Sequence, residues 1–315
     1  MSELHVVFGS GAVGQATARA LTKQGKRIRM VNRSGKRPAD IPHIVEVLSG
    51  DLYNLDFVRM AIEGANVVYQ TAQPQYHEWP EKFPPLQATI LEAIAEIKGK
   101  IVVAENLYMY GEVDGPIHED LPFSAHTRKG KVRAAMAEAV MSAHRAGQLR
   151  AVAVRAADYF GPAALSTTMG ERVFIPALQG KAALLTGSLD VPHTHTYIED
   201  FGRAMAMLGE REQADGGAWH VPSSEALTQR QLVTLFFNEI GRPVKISSAG
   251  KGMLSLAGMF IPAARESVEM LYEFEKPFVM SHAKFEKAFG NIATPHADAI
   301  KATAAWCRQY LNMLV

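Results

Sequence analysis

The chain has 315 residues, 48% of them hydrophobic and 21% charged, which is enough apolar content for one large α/β unit with a smaller lobe. Its 33 basic and 32 acidic side chains nearly cancel and form no long run of either sign, which excludes an electrostatic footprint for nucleic acid or an anionic membrane. One cysteine, Cys307, excludes a disulfide framework and a thiolate metal cluster; no apolar run approaches the ~18 residues of a membrane span, and the opening apolar stretch is too short for a secretory signal, so a reducing, cytoplasmic setting is expected.

Short apolar, β-branched runs predict strands over 4–8, 28–31, 44–48, 67–71, 101–104 and 151–155. Helical patterns alternate with them over 13–24, 55–62, 86–97, with Pro84-Pro85 at its start, and 131–145. Strands that are apolar almost throughout, separated by helices, predict a parallel, doubly wound Rossmann sheet covered on both faces. Beyond Gly161-Pro162 the alternation breaks: strand-like pieces at 182–186, 194–198, 219–221 and 244–246 are scattered among helices, one of them starting at a Thr228 N-cap before 231–240. This divides the chain into a dinucleotide-binding domain over 1–162 and a smaller, mixed substrate lobe over 163–315, with some later segments returning to the first domain.

The stretch Val6-Val7-Phe8-Gly9-Ser10-Gly11-Ala12-Val13-Gly14 runs from strand through a glycine-spaced turn into a helix. Gly9 serves the tight turn, Gly11 lets backbone approach a pyrophosphate, and Gly14 lets the helix pack on the strand; the helix N-terminus then offers unpaired amides to phosphate. Where an NAD-binding chain usually places an acid on the adenosine ribose, this one has Asn32-Arg33-Ser34. A guanidinium and no carboxylate favour a 2′-phosphate, hence NADP(H) over NAD(H), with Lys36 and Arg37 as reinforcement.

These motifs, with Gly50-Asp51-Leu52, Thr71-Ala72-Gln73-Pro74, Tyr110-Gly111, the run from Arg155 through Asp158 to Pro162, and Thr196-Tyr197-Ile198-Glu199-Asp200, resemble the short-chain dehydrogenase/reductase superfamily in its extended epimerase/dehydratase-like branch. The likeness covers about the first two hundred residues and, less sharply, the rest. It implies an oxidoreductase or epimerase-like enzyme on a small carbonyl or sugar-like substrate, and a homodimer as the family expectation. It also implies cofactor contacts at Gly9, Gly11, Ala12, Val13, Gly14, Asn32, Arg33, Ser34, Asp51, Leu52, Thr71, Ala72, Gln73, Lys131 and Asp158.

The chain departs from the family at the active site. Matching the motifs puts Asn106 at the family's Ser or Thr, Thr127 at its tyrosine and Lys131 at its lysine, so the usual acid is missing. A threonine hydroxyl is too weak an acid for the role of a tyrosine whose ordinary pKa near ~10 is pulled down by its surroundings. Lys131 is then expected to hold the nicotinamide ribose or itself to act as the proton donor, with Tyr108 and Tyr76 as substitute acids against the plainer reading of packing aromatics. His126 is an acid–base candidate by its natural range. His193 and His195 alternate onto one face, but two ligands make no metal site. The Met-bearing stretch 253–261 reads as a packed helix of the small lobe, or as a mobile flap or an interaction surface. A nucleotide-binding redox sensor without catalysis is the alternative to an enzyme.

Overall fold

In a computed structural model of the chain, residues 3–259 and 268–314 are described. Six parallel strands come from the first half: β1 (Leu4–Phe8), β2 (Arg27–Asn32), β3 (Glu46–Ser49), β4 (Ala65–Gln70), β5 (Lys100–Glu105) and β6 (Arg150–Arg155). A seventh, β7 (Ala218–His220), pairs with β6 in parallel and completes the order β7-β6-β5-β4-β1-β2-β3. The strand order reverses beside β1, so the cleft above the C-terminal ends of β1 and β4 is where a doubly wound sheet takes its ligand.

Side-chain alternation along the strands builds two separate cores. Val6, Phe8, Val31, Val68, Ile101 and Val103 face the layer of α2 (Leu55–Ala61), α3 (Trp79–Glu96) and α4 (Arg128–Arg145). Val7, Met30, Tyr69, Val102, Val152 and Val154 face the other layer, whose core is shared by α1 (Ala12–Lys23), α5 (Glu171–Leu178) and α6 (Ile198–Gly209). A Cβ on Gly202 would lie 2.4 Å from the Ala16 carbonyl carbon, which is why α6 carries glycine where it crosses α1. That helix belongs to the later half of the sequence yet covers the main sheet, as β7 extends it.

Three expectations are corrected. The third strand begins at Glu46, and Ile44, read as its first residue, is 82% exposed. Helix α3 starts at Trp79, with Pro84 and Pro85 inside it. Trp79, Phe83, Leu86 and Ile90 continue one buried stripe through the prolines, and that packing outweighs the lost amide donors. The strand read over 194–198 is only Thr196–Tyr197, because α6 begins at Ile198.

Outside the main sheet, short strands pair Tyr159–Phe160 with Thr196–Tyr197, Pro192–His193 with Leu227–Thr228, and Ala183–Thr186 with Ile246–Ala249. Helix α7 (Gln229–Glu239) is capped by Thr228, whose hydroxyl accepts from Gln231 N while Gln231 returns the bond. Within 253–261, helix Lys251–Gly258 leaves Met253 and Leu256 exposed, and Met259 beyond it is exposed too, so a fully packed helix does not describe the stretch; residues 260 and 261 lie outside the described residues.

Candidate functional site

The glycine turn is built by close approach. Gly9 has φ +102°, and a Cβ there would sit 2.7 Å from Ala72 N; one on Gly14 would sit 2.1 Å from Gly9 O and 2.7 Å from Thr71 Oγ1. Thr71 Oγ1 donates to Phe8 O at 2.8 Å and locks the β4 loop against the turn. Gly11 differs, because no atom lies within 4 Å of its Cβ position. It is the N-cap of α1, no side chain caps that end, and the first-turn amides of Ala12, Val13 and Gly14 are left for an anion. The cradle therefore fits a pyrophosphate, with open space where Gly11 lacks a side chain.

At the end of β2, Asn32 is consumed by its own turn. Its Oδ1 accepts from Ser34 N and Gly35 N at 3.1 and 2.7 Å, and its Nδ2 donates to Lys36 O. Arg33 is exposed, and its guanidinium makes no hydrogen bond or ion pair among the described residues. Asn32 thus shapes the loop that presents Arg33 and Ser34. Asp51 is exposed and accepts from Tyr53 N, Leu52 is buried in the core beneath, and Gln73 is exposed beyond Ala72.

The helix-face expectation for α4 is corrected. Thr127 lies outside the helix as its N-cap, accepting from Gly130 N at 3.1 Å, so its hydroxyl is spent on the backbone. Lys131 is exposed, on the outer face. The inner face carries Lys129, fully buried, and Arg133, 2% exposed. Lys129 Nζ lies 4.4 Å from the Tyr76 ring centroid and 3.3 Å from Glu269 Oε1. Glu269 also accepts from Arg128 N and Lys129 N, placing a carboxylate at the positive end of α4. Arg133 stacks 4.9 Å from the Phe83 ring and donates to Ala104 O. The sequence held a signal for this: counting back from Val140 and Met136 at helical spacing leads to Arg133 and Lys129.

Asn106 Oδ1 accepts from Tyr108 N at 3.3 Å, which orients the loop after β5. Tyr108 and Tyr76 bring their hydroxyls to 3.4 Å from each other. Burial pushes both phenols above their ordinary range, so neither is primed as an anion. His126 is exposed, 3.7 Å from Glu112 Oε1.

From the later part of the chain, His193 joins Asp158 and Glu273. Its Nδ1 donates to the Glu273 carbonyl at 3.1 Å, and its Nε2 lies 2.9 Å from Asp158 Oδ2, with one proton between them. Thr168 Oγ1 donates to the other oxygen of Asp158. His195 stacks on His193 with ring centroids 4.8 Å apart; it is buried, both its nitrogens lack partners among the described residues, and burial holds it well below its ordinary range. Among the described residues, the one group of three metal-type ligands is Glu3, His5 and Glu210 at the N-terminal end of β1, where the Lys26 ammonium already bridges the two carboxylates. Sequence reasoning missed Lys129, Glu269 and Glu273, the last two because they return to the cleft from far along the chain.

Tyr110, by contrast, belongs to a buried frame. Its hydroxyl meets Arg155 Nη1 and His220 Nε2, and His220 Nδ1 donates to Ser281 O. Burial pushes His220 down to about 3. Below its ordinary value near ~6.5 the unfolded chain takes up a proton that the native histidine refuses, so stability is full above that range and is lost as pH falls toward the native value. Urea titration at pH 5 should show about 2 kcal/mol less stability from this residue than at pH 7. An unchanged midpoint would mean that His220 is charged or exposed.

A seven-stranded parallel sheet with a glycine-turn phosphate cradle defines the Rossmann class of dinucleotide-binding proteins. A family model, the NAD dependent epimerase/dehydratase family, matches residues 6–221, and the chain belongs to that family of enzymes. Solved structures agree on the fold: UDP-glucuronic acid 4-epimerase from Bacillus cereus in complex with UDP-glucuronic acid and NAD has a TM-score of 0.79 at 18% identity, over 98% of this chain and 99% of that one. UDP-glucose 4-epimerase of Thermus thermophilus gives 0.77 at 18%, over 97% and 99%, and dTDP-glucose 4,6-dehydratase from Bacillus anthracis gives 0.80 at 14%, over 98% and 97%. No curated protein matches the sequence. No described helix is long and apolar enough to cross a membrane.

Proposed function

We propose that the chain is an NADP(H)-dependent oxidoreductase or epimerase-like enzyme acting on a small, uncharged carbonyl or sugar-like compound. The open, uncapped N-terminus of α1 beside the unengaged Arg33 carries this reading. When bound, the nicotinamide supplies or accepts a hydride. The first-turn amides of α1 hold the pyrophosphate, Arg33 and Ser34 meet the 2′-phosphate, and Thr71, Ala72 and Gln73 line the path toward Asn106. Lys129 takes the place on α4 that Lys131 was expected to fill, oriented by Glu269 and the Tyr76 ring.

The substrate class follows from charge. Lys129 already faces Glu269, and His193 faces Asp158, so these two basic groups of the cleft are engaged, while Arg133 is stacked on Phe83 and bonded to Ala104 O. A diphosphate, such as the UDP-glucuronic acid bound by the Bacillus cereus epimerase, would meet the Asp158 and Glu269 carboxylates there. Tyr76, Tyr108 and Trp79 instead offer an apolar wall with hydroxyls for a neutral carbonyl compound. The loss of the tyrosine from α4 is the one observation for a non-catalytic sensor; the polar groups gathered around Asp158 favour the enzyme.

Replacing Arg33 by Asp should weaken NADPH binding by about 100-fold, since a paired guanidinium is exchanged for a like charge on the 2′-phosphate, and should leave NADH binding within a few-fold. Parallel fluorescence titrations measure the ratio. An unchanged ratio would show that Arg33 does not read the phosphate.

A further inference from the structure

Glu273 stands out among the buried acids. It is 1% exposed, and its Oε1 has no hydrogen-bond partner among the described residues. A carboxylate in that state would be a desolvated charge without compensation, whereas a neutral carboxylic acid needs far less from its surroundings. Among the described residues no cation compensates it: the groups acting on it and its surroundings are Asp158 from the turn after β6, Tyr76 and Tyr108 from the loops after β4 and β5, and its neighbour Tyr272. Lys129, the nearby amine of α4, is held by Glu269, and His193 reaches the Glu273 main-chain carbonyl rather than its carboxyl.

We propose that Glu273 is the acid of this site, a neutral carboxylic acid that delivers its proton to the oxygen of the substrate carbonyl and so fills the role left vacant by the missing tyrosine. This rests on the reading of the chain as an NADP(H)-dependent enzyme. Burial, with Asp158 adding to it, pushes the Glu273 carboxyl well above its ordinary range, as a donor at neutral pH requires. In the step, a hydride from the reduced nicotinamide forms the new C–H bond, the carbonyl π pair moves to oxygen, and that oxygen takes the Glu273 proton. The carbonyl is reduced to an alcohol, the cofactor is oxidised, and the Glu273 carboxylate regains a proton from water. The neighbouring hydroxyls of Tyr76 and Tyr108 position the substrate oxygen without ionising.

The test uses binding and needs no substrate. NADP⁺ and NADPH are titrated calorimetrically into the whole protein in buffers of different ionisation heat, across neutral to mildly alkaline pH. The two cofactors share the 2′-phosphate and differ by one positive charge at the nicotinamide ring, which favours a nearby carboxylate. NADP⁺ should release more protons than NADPH, and Glu273→Gln should erase the difference while both cofactors still bind. Equal proton counts in the unaltered protein, or a difference that survives in Glu273→Gln, would overturn the assignment. No binding heat from either cofactor would instead overturn the cofactor reading, and this inference with it. Should the amide variant fail to fold, carbon-13 titration of the glutamate-labelled natural chain decides: one carboxyl resonance should titrate far above the others and move down with NADP⁺.

Discussion

Gly11→Val should abolish nucleotide binding and leave the fold in place. No atom lies within 4 Å of the Gly11 Cβ position, and its φ of −71° is open to any residue, so valine meets neither a clash nor backbone strain. The branched side chain would occupy the space above the uncapped end of α1 and hold phosphate oxygens away from the amides of the first turn. Several charge-assisted hydrogen bonds are lost together, so affinity for NADPH should fall by at least about 100-fold, or about 3 kcal/mol. Calorimetry gives the affinity, and thermal melting gives the control. Gly14→Val makes the contrast: its Cβ would press on Gly9 O, so that variant should lose stability as well as binding. Unchanged affinity in Gly11→Val would remove the turn from the cofactor site.

The largest loss of stability is expected from Arg155→Ala. Arg155 and Glu105 are 2% and 3% exposed; the guanidinium gives Nε to Glu105 Oε2 at 2.8 Å and Nη1 to the Tyr110 hydroxyl at 2.6 Å, with its plane near the Tyr110 and Phe123 rings. Removing it strands a buried carboxylate whose second oxygen already lacks a partner among the described residues, and breaking a buried pair on one side costs about 3–5 kcal/mol. Glu105→Gln with Arg155→Met should cost much less than the sum of the single changes, because no uncompensated charge remains. Denaturant unfolding measures both. Additive losses would show that the two side chains act independently.

The sequence revealed the parts of this molecule whose chemistry is local. The glycine turn could be read from three positions, because a tight turn, an approach to phosphate and a helix–strand contact each require a missing side chain within a few residues. The Thr228 cap was legible for the same reason, and so were the strands of the first half. Pro84 and Pro85 misled, since their local effect on the backbone was weighed without the buried stripe from Trp79 to Ile90 that carries α3 past them. On α4, matching residues to a family pattern placed the amine at Lys131, whereas the helix period counted from its own buried positions gives Lys129. The Thr127 side chain, which looked like a degenerate acid, is a helix cap. Glu269 and Glu273 were beyond reach, because their meaning depends on a return of the chain across more than a hundred residues to Lys129 and Asp158.

Binding of NADPH and NADH to the purified protein, measured side by side at one ionic strength, tests the central claim most directly. NADPH should bind by an order of magnitude or more the tighter, since the loop after β2 offers Arg33 and no carboxylate to the 2′-phosphate. Equal affinities, or NADH binding tighter, would contradict it.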